Sequence, residues 1–389
     1  MKRTCAALAA VMVVLGTAAV GVADASTDGR PTTATLQRDA DALLDLGAPG
    51  VLAEVVTPTG KAKVRSGFGD VAARTPVPWN ARFRIASYTK TFVSATLLQL
   101  VGEGRLSLED TVERWLPGVV AGNGNDGARI TVRQVLQQTT GLRDYLEELS
   151  FLFTEEGFQR NRFMTLTPED AIALAVKGPP TFEPGAEWEY SNTNYVLAGM
   201  VIGRVTGHSW QHEVRERIIR PLGLRDTSAP DTSPSIPGPH AIGYQRFSLE
   251  GADIDATELN PSWAGAAGAM ISTTDDANRF LRALLSGRVL RPAQLAEMRT
   301  TVPATRFEAG WPGVRYGLGL MWIPNSCGGS WAHGGDIHGF MTRNGVSADG
   351  TRSVVVSVNT DSMVPKAGVP QPTKDVAIDL IDHALCGTR

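Results

Sequence analysis

The chain has 389 residues, enough to bury one large core or two lobes. Hydrophobic residues make up 42% and charged residues 20%, which excludes an intrinsically disordered chain. A formal charge of −3 supplies no electrostatic footprint for nucleic acid or for an anionic membrane surface, so neither is expected as a partner.

In chain order, residues 1–25 read as a signal peptide. Lys2 and Arg3 form a basic start, Ala6 to Val22 is apolar and rich in small residues, and Ala23-Asp24-Ala25 has the small-x-small form of a cleavage site. Cleavage is expected before Ser26, giving a secreted protein without a stable membrane anchor; an uncleaved anchor is the alternative. Once the leader is removed, Cys327 and Cys386 are the cysteines that remain. In an exported chain they read as one disulfide, with two buried thiols as the alternative.

Leu36 to Leu46 has helical spacing. Val51 to Val56, a Pro58-Thr59-Gly60 turn and Ala62 to Phe68 predict a hairpin. From Ser87 the pattern turns helical, with Phe92, Val93, Leu97, Leu100 and Val101 on a helix closed by Gly102 and Gly104. "ITVRQVLQQ", "TPEDAIALAV", "TNYVLAGMVIGRVTG" and "DDANRFLRALLSG" continue it. Strand character returns in Arg315–Trp322, Gly329–Gly335, Gly339–Ser347 and Arg352–Thr360, and a last helix is expected over Thr373–Leu385. The simplest fold is α/β. One antiparallel sheet is built from both chain ends (26–86 and 305–389), flanked by helices, with a mostly helical lobe (87–304) inserted to make one catalytic unit.

Three short patterns could carry chemistry. Ser87 and Lys90 are three apart at a helix start, so they share a face; there the helix dipole favours a developing negative charge. Taken alone, the pair is better explained by Ser87 as an N-cap with Lys90 in solvent. In Tyr190-Ser191-Asn192, a phenol beside a lysine could have its pKa lowered and take a proton, and an amide could hold both a lysine and a substrate carbonyl; a turn before a helix is the plain alternative. In His333-Gly334-Gly335, glycines would let a substrate lie along a strand; a glycine turn is the plain alternative.

Together, S-x-x-K, Y-S-N about a hundred residues on, and H-x-G on a late strand resemble the serine β-lactamase and penicillin-binding protein family, in its class C-like branch. "LLQLVGEGRLSLEDTVERWLP", "ITVRQVLQQTTGLRDY", "PGAEWEYSNTNYVLAGMVIG", "RPLGLRDT", "AGAMISTTDDANRF" and "RYGLGL" extend the likeness over the chain after the leader, nearest to the secreted D-alanyl-D-alanine carboxypeptidases. The resemblance implies an exported hydrolase working through an acyl-enzyme. Ser87 is then the nucleophile, with Lys90 and Tyr190 sharing the base role. Asn192, Trp263, His333 and Gly335 meet the substrate, and the backbone N–H groups of Ser87 and Asp336 form an oxyanion hole. For Trp263, core packing stays open as an alternative.

Substrates would be small peptides, amides or esters, with β-lactams as inhibitors, no cofactor or metal, and a monomer. An esterase, a D-aminopeptidase or amidase, a β-lactamase and a catalytically silent penicillin-binding sensor remain open. Two departures bear on substrate. Gly334 and Met321 stand where the carboxypeptidases carry a Thr and an Arg that bind a terminal carboxylate. Arg343 on the next strand could compensate, while Asp336, if it faces the cleft, would repel an anion.

"GNGNDG" (Gly122–Gly127) matches G-x-G-x-x-G but lacks a preceding strand and reads as a surface loop. His208 and His212 are four apart, yet no acidic third ligand sits in a recognised pattern, so a helix surface is expected.

Overall fold

A computed structural model describes residues 33–387; the proposed leader, the Ser26 cleavage point and Cys5 lie outside the described residues. Helix α1 (Thr33–Asp45) leads into the expected hairpin, β1 (Gly50–Thr57) and β2 (Gly60–Gly67). The chain then crosses to helix α2 (Thr89–Gly102), α3 (Asn192–Thr206) and α4 (Thr274–Leu285). It returns as β3 (Val302–Pro303), β4 (Arg315–Tyr316), β5 (Met321–Ile323), β6 (Ser330–Ala332), β7 (Gly335–Ile337), β8 (Phe340–Ser347) and β9 (Ser353–Val358), and ends in α5 (Ile378–Cys386).

Among the described residues these strands form one antiparallel sheet in the order β2-β1-β9-β8-β6-β5-β4-β3, with β7 also paired to β8. Both chain ends therefore contribute, β1 lying against β9 with Val51 opposite Val358. Alternation decides what covers each face. Val51, Ala53, Val55, Val354, Val356 and Val358 pack against Leu36, Ala40 and Leu43 of α1 and Leu380 and Ala384 of α5. Val355 faces the opposite way, into the core with Phe280, Leu281 and Leu284 of α4. Helix α2 is buried from Thr89 to Leu98, the mark of a central rather than an amphipathic helix. Cys327 and Cys386 are joined in a disulfide that ties the loop before β6 to the end of α5. Among the described residues no helix is long and apolar enough to cross a membrane.

Three expected elements differ. Arg315–Trp322 is not one strand but the hairpin β4–β5, turning at Gly317–Leu320. Gly319 has φ +74°, and a Cβ there would strike Ser94 and Tyr195 Oη. Gly329–Gly335 breaks at His333–Gly334 into β6 and β7. Here the Asn344 side chain replaces ladder bonds, accepting from His333 N at 3.0 Å and donating to His333 O at 2.8 Å. The last helix starts at Ile378 rather than Thr373. Asp375 is held by Arg343 (2.6 Å) and accepts from Ala377 N, so residues 373–377 follow a turn.

Candidate active site

Ser87 lies in a single 3₁₀ turn, Ala86–Tyr88, that runs into α2; it is half-buried. The residue before it, Ala86, has φ +46°, a strained left-handed conformation for a residue with a side chain. Strain of this kind persists only where the surroundings over-determine the backbone, here at the turn that presents Ser87. The N-cap reading fails, because Ser87 makes no side-chain cap and Lys90 is fully buried.

Lys90 Nζ donates to Ser87 Oγ (3.0 Å), Asn192 Oδ1 (2.8 Å) and Ala267 O (2.7 Å). Three acceptors favour the charged form, but burial outweighs them and pulls the Lys90 pKa down to about 7, against an upward pull from the Asp144 charge. Asn192, at the start of α3, is fixed from behind: its backbone N–H (3.0 Å) and its Nδ2 (2.8 Å) both donate to Asp144 Oδ2. Asp144 is a site residue that sequence reasoning did not single out. It lies in the "GLRDY" stretch, and only the fold brings that loop beneath Asn192.

Tyr190 stacks over Lys90, whose Nζ is 4.8 Å from the ring centre. The expected lowering of its pKa is overturned. Burial pushes the Tyr190 phenol well above its ordinary value, with the hydrogen bond to Ser87 working the other way. His333 is also buried, its pKa pulled down to about 3 by burial and then by the Lys90 charge. It is therefore a neutral imidazole. With Nδ1 2.8 Å from Gly334 O and Nε2 3.0 Å from Tyr316 Oη, the tautomer that satisfies both donates from Nδ1 and accepts from tyrosine.

Two lobes of one cleft meet at Ser87, Asn192 and Asp336. One, about 180 Å³, is walled by Tyr145, Leu146, Phe153, Trp263, Ile337 and His338, with Asp361 on its lining. The other, about 270 Å³, is walled by Tyr190, Phe307, Trp311, Met321 and His333. Trp263 is buried and also forms part of the first lobe's wall. Gly335 brings β7 against the nucleophile turn: a Cβ there would meet Ile85 O, and Ser87 N at 2.8 Å. A larger cavity of about 620 Å³ beyond Trp263 has no nucleophile paired with a base and is not the site.

Arg343 is held by both neighbouring acids, Asp336 Oδ1 at 2.8 Å and Asp375 Oδ2 at 2.6 Å, and its guanidinium lies 5.6 Å from the Trp311 ring centre. It is not an unengaged carboxylate anchor. It also occupies the space beside Gly334, where a Cβ would sit 3.3 Å from Arg343 Cδ. Asp336 is half exposed and spends its charge on Arg343.

The profile of the family described as Beta-lactamase matches residues 17–375, nearly the whole chain, and the described residues hold its sheet-and-helix fold. The chain belongs to the β-lactamase family. It is a family of serine hydrolases that includes amidases and penicillin-binding proteins. Among solved structures, a D-stereospecific amidohydrolase from Streptomyces sp. is 41% identical with TM-score 0.83, covering 92% of this chain and 100% of that one. A D-amino acid amidase from Ochrobactrum anthropi SV3, complexed with L-phenylalanine amide, is 30% identical with TM-score 0.72, covering 83% and 90%. Penicillin-binding protein 4* of Bacillus subtilis (strain 168) is 29% identical over 182 residues, 46% of this chain and 38% of that protein. The matched region spans less than half the length of the curated relatives.

Of the remaining sequence features, Gly122–Gly127 forms part of a small two-stranded turn, Ala121–Gly122 with Asn125–Asp126. His208 and His212 do have an acidic neighbour, Glu213, with ligand atoms of all three within 4.8 Å. The sequence pattern hid it because the turn before the short helix at Trp210 folds His208 back over Glu213. That carboxylate is already engaged by Arg217.

Proposed function

We propose that this β-lactamase-family protein is an exported serine amidohydrolase. Its preferred substrates are small amides and esters of D-amino-acid type with an uncharged leaving group. The observation that carries the chemistry is the Lys90 ammonium. It is fully buried with its pKa near 7, and its Nζ is 3.0 Å from Ser87 Oγ. Neutral Lys90 takes the Ser87 proton as Oγ attacks the carbonyl carbon. The backbone N–H groups of Ser87 and Asp336 receive the oxyanion. Tyr190 stays a neutral phenol and relays the proton to the leaving atom as the C–N or C–O bond breaks. Water then attacks the acyl-enzyme, losing its proton to Lys90, and that proton returns to Ser87 Oγ.

Tyr190 lines the second lobe alone, so the leaving group is assigned there and the acyl group to the apolar lobe. The likeness to two D-specific amidases supports the substrate class. D-alanyl-D-alanine carboxypeptidase activity is the competing reading, favoured by the likeness to a penicillin-binding protein. Arg343 argues against it: its charge is taken by Asp336 and Asp375, and a buried terminal carboxylate without a charge-assisted partner costs several kcal/mol. Export rests on the basic-apolar-small pattern of residues 1–25 and on the Cys327–Cys386 disulfide.

The test compares kcat/KM for D-alanyl-D-alanine with that for its C-terminal amide. The amide is expected to be the better substrate. A preference of about tenfold or more for the free acid, erased by Arg343→Ala, would establish the carboxypeptidase reading instead.

A further inference from the structure

The apolar lobe holds a group that the chemistry at Ser87 does not use. Asp361, just past the end of β9, lines that lobe together with Ser87, Trp263, Phe153 and His338. Its Oδ1 is buried and has no hydrogen-bond partner among the described residues. A buried, unsatisfied carboxyl oxygen in an apolar wall costs on the order of 1–3 kcal/mol, and more when charged. A hydrogen-bond donor on a ligand returns that cost, and a cationic donor returns the most, because a charge-assisted bond is roughly twice as strong as a neutral one.

The neighbours exclude the obvious protein partners. The Arg343 guanidinium is engaged by Asp336 and Asp375, and the Lys90 ammonium by Ser87, Asn192 and Ala267. Among the described residues no ion pair to Asp361 is formed. Asp336 faces both lobes but is neutralised at 2.8 Å, which leaves Asp361 as the acid with binding capacity to spare. The lobe is small, about 180 Å³, so an acyl group seated in it with its carbonyl carbon at Ser87 holds every other atom close to the lining.

We infer that Asp361 is the subsite for a free α-ammonium group, so that the acyl part of the substrate is an unblocked amino acid whose apolar side chain lies against Trp263 and Phe153. This rests on the amidohydrolase reading above and narrows it: peptides and amides with a free N-terminus are accepted, and N-acylated ones are not. The state of the carboxyl without ligand agrees. Burial, then the nearby Asp336 charge, push Asp361 up to about 8, and an ammonium in the lobe is the group that draws its proton off.

The experiment measures kcat/KM at neutral pH for D-phenylalanine amide, 3-phenylpropionamide (the same molecule without the amine) and N-acetyl-D-phenylalanine amide. The substrates are compared on the wild type, Asp361→Asn and Asp336→Asn. The wild type is expected to prefer the free amine over both analogues by at least about 100-fold. In Asp361→Asn the ratio of free amine to desamino amide should fall by at least about tenfold, chiefly through KM, and by less in Asp336→Asn. A fluorophosphonate labelling Ser87 in each variant reports an intact site, and Asp361→Ser replaces the Asn variant if the latter does not fold. Equal or better turnover of the N-acetyl amide, an unchanged ratio in Asp361→Asn, or a larger change in Asp336→Asn overturns the ammonium assignment alone. Absence of both turnover and Ser87 labelling in the wild type overturns the amidohydrolase reading and this inference with it.

Discussion

At the scale of single residues, the decisive contest is between burial and hydrogen bonding at Lys90. Three acceptors hold its ammonium, yet complete burial brings its pKa to about 7. Below that value Lys90 keeps its proton and cannot take one from Ser87. The profile of kcat/KM against pH for a neutral ester should therefore fall as pH drops through about 7. A limb near 4–5 would point to a carboxylate, and one near about 10 to an unperturbed lysine or tyrosine; either contradicts the assignment. The sign for stability follows from the same depression. Between about 7 and the ordinary value of 10.5 the unfolded chain binds more protons than the folded one, so the contribution of Lys90 to stability rises with pH across that window. Ser87, Lys90, Tyr190 and Asn192 were legible in the sequence because their spacing is local or their motif short. Asp144, Asp361 and Asp375 were not. Each is one acid in a loop, with no periodic relation to the nucleophile, and acquires meaning only from what the fold sets beside it.

At the scale of elements, the site depends on a strand that stops being regular. An uninterrupted β6–β7 strand could not both complete the ladder and reach the Ser87 turn. The break at His333–Gly334, stapled by Asn344, lets β7 lean onto that turn, and Gly335 has no Cβ to hold it away. Gly335→Ala should separate the N–H groups of Ser87 and Asp336. The expected loss in kcat is about 100-fold or more, of the order seen on removing one oxyanion donor, with far-UV circular dichroism unchanged. Turnover close to wild type in a folded variant would show that β7 does not form the oxyanion hole. Arg315–Trp322 reads as one continuous strand because Tyr316, Leu318 and Leu320 alternate along it, and Gly329–Gly335 likewise reads as a single strand. A sequence pattern cannot register a side-chain amide standing in for a ladder bond, or a turn that exists because Gly319 must pass Ser94 and Tyr195.

At the scale of the molecule, the sheet with strands from both ends was readable. The hairpin and the β8–β9 pair have short runs rich in valine bounded by turn residues, and the helices between them have caps such as Thr131, Thr167 and Ser209 at their starts. The disulfide is expected from the two cysteines that remain if residues 1–25 are a removed leader, and closing a loop of 59 residues constrains the unfolded chain by about 4 kcal/mol on the chain-entropy account. Substrate was not readable to the same depth. The proposed preference rests on Arg343, Asp336 and Asp375 neutralising one another and on the Asp361 Oδ1 left without a partner, arrangements that arise only when β7, β8 and the segment before α5 converge. The claim on which the account turns is that catalysis passes through an acyl group on Ser87. Acid-quenching the enzyme during turnover of D-phenylalanine methyl ester, followed by trypsin digestion and peptide mass mapping, tests it directly. A D-phenylalanyl adduct is expected on the peptide Ile85–Lys90, at Ser87, and none in Ser87→Ala. Hydrolysis that proceeds with an adduct on another residue, or that survives in Ser87→Ala at a rate near wild type, would contradict it.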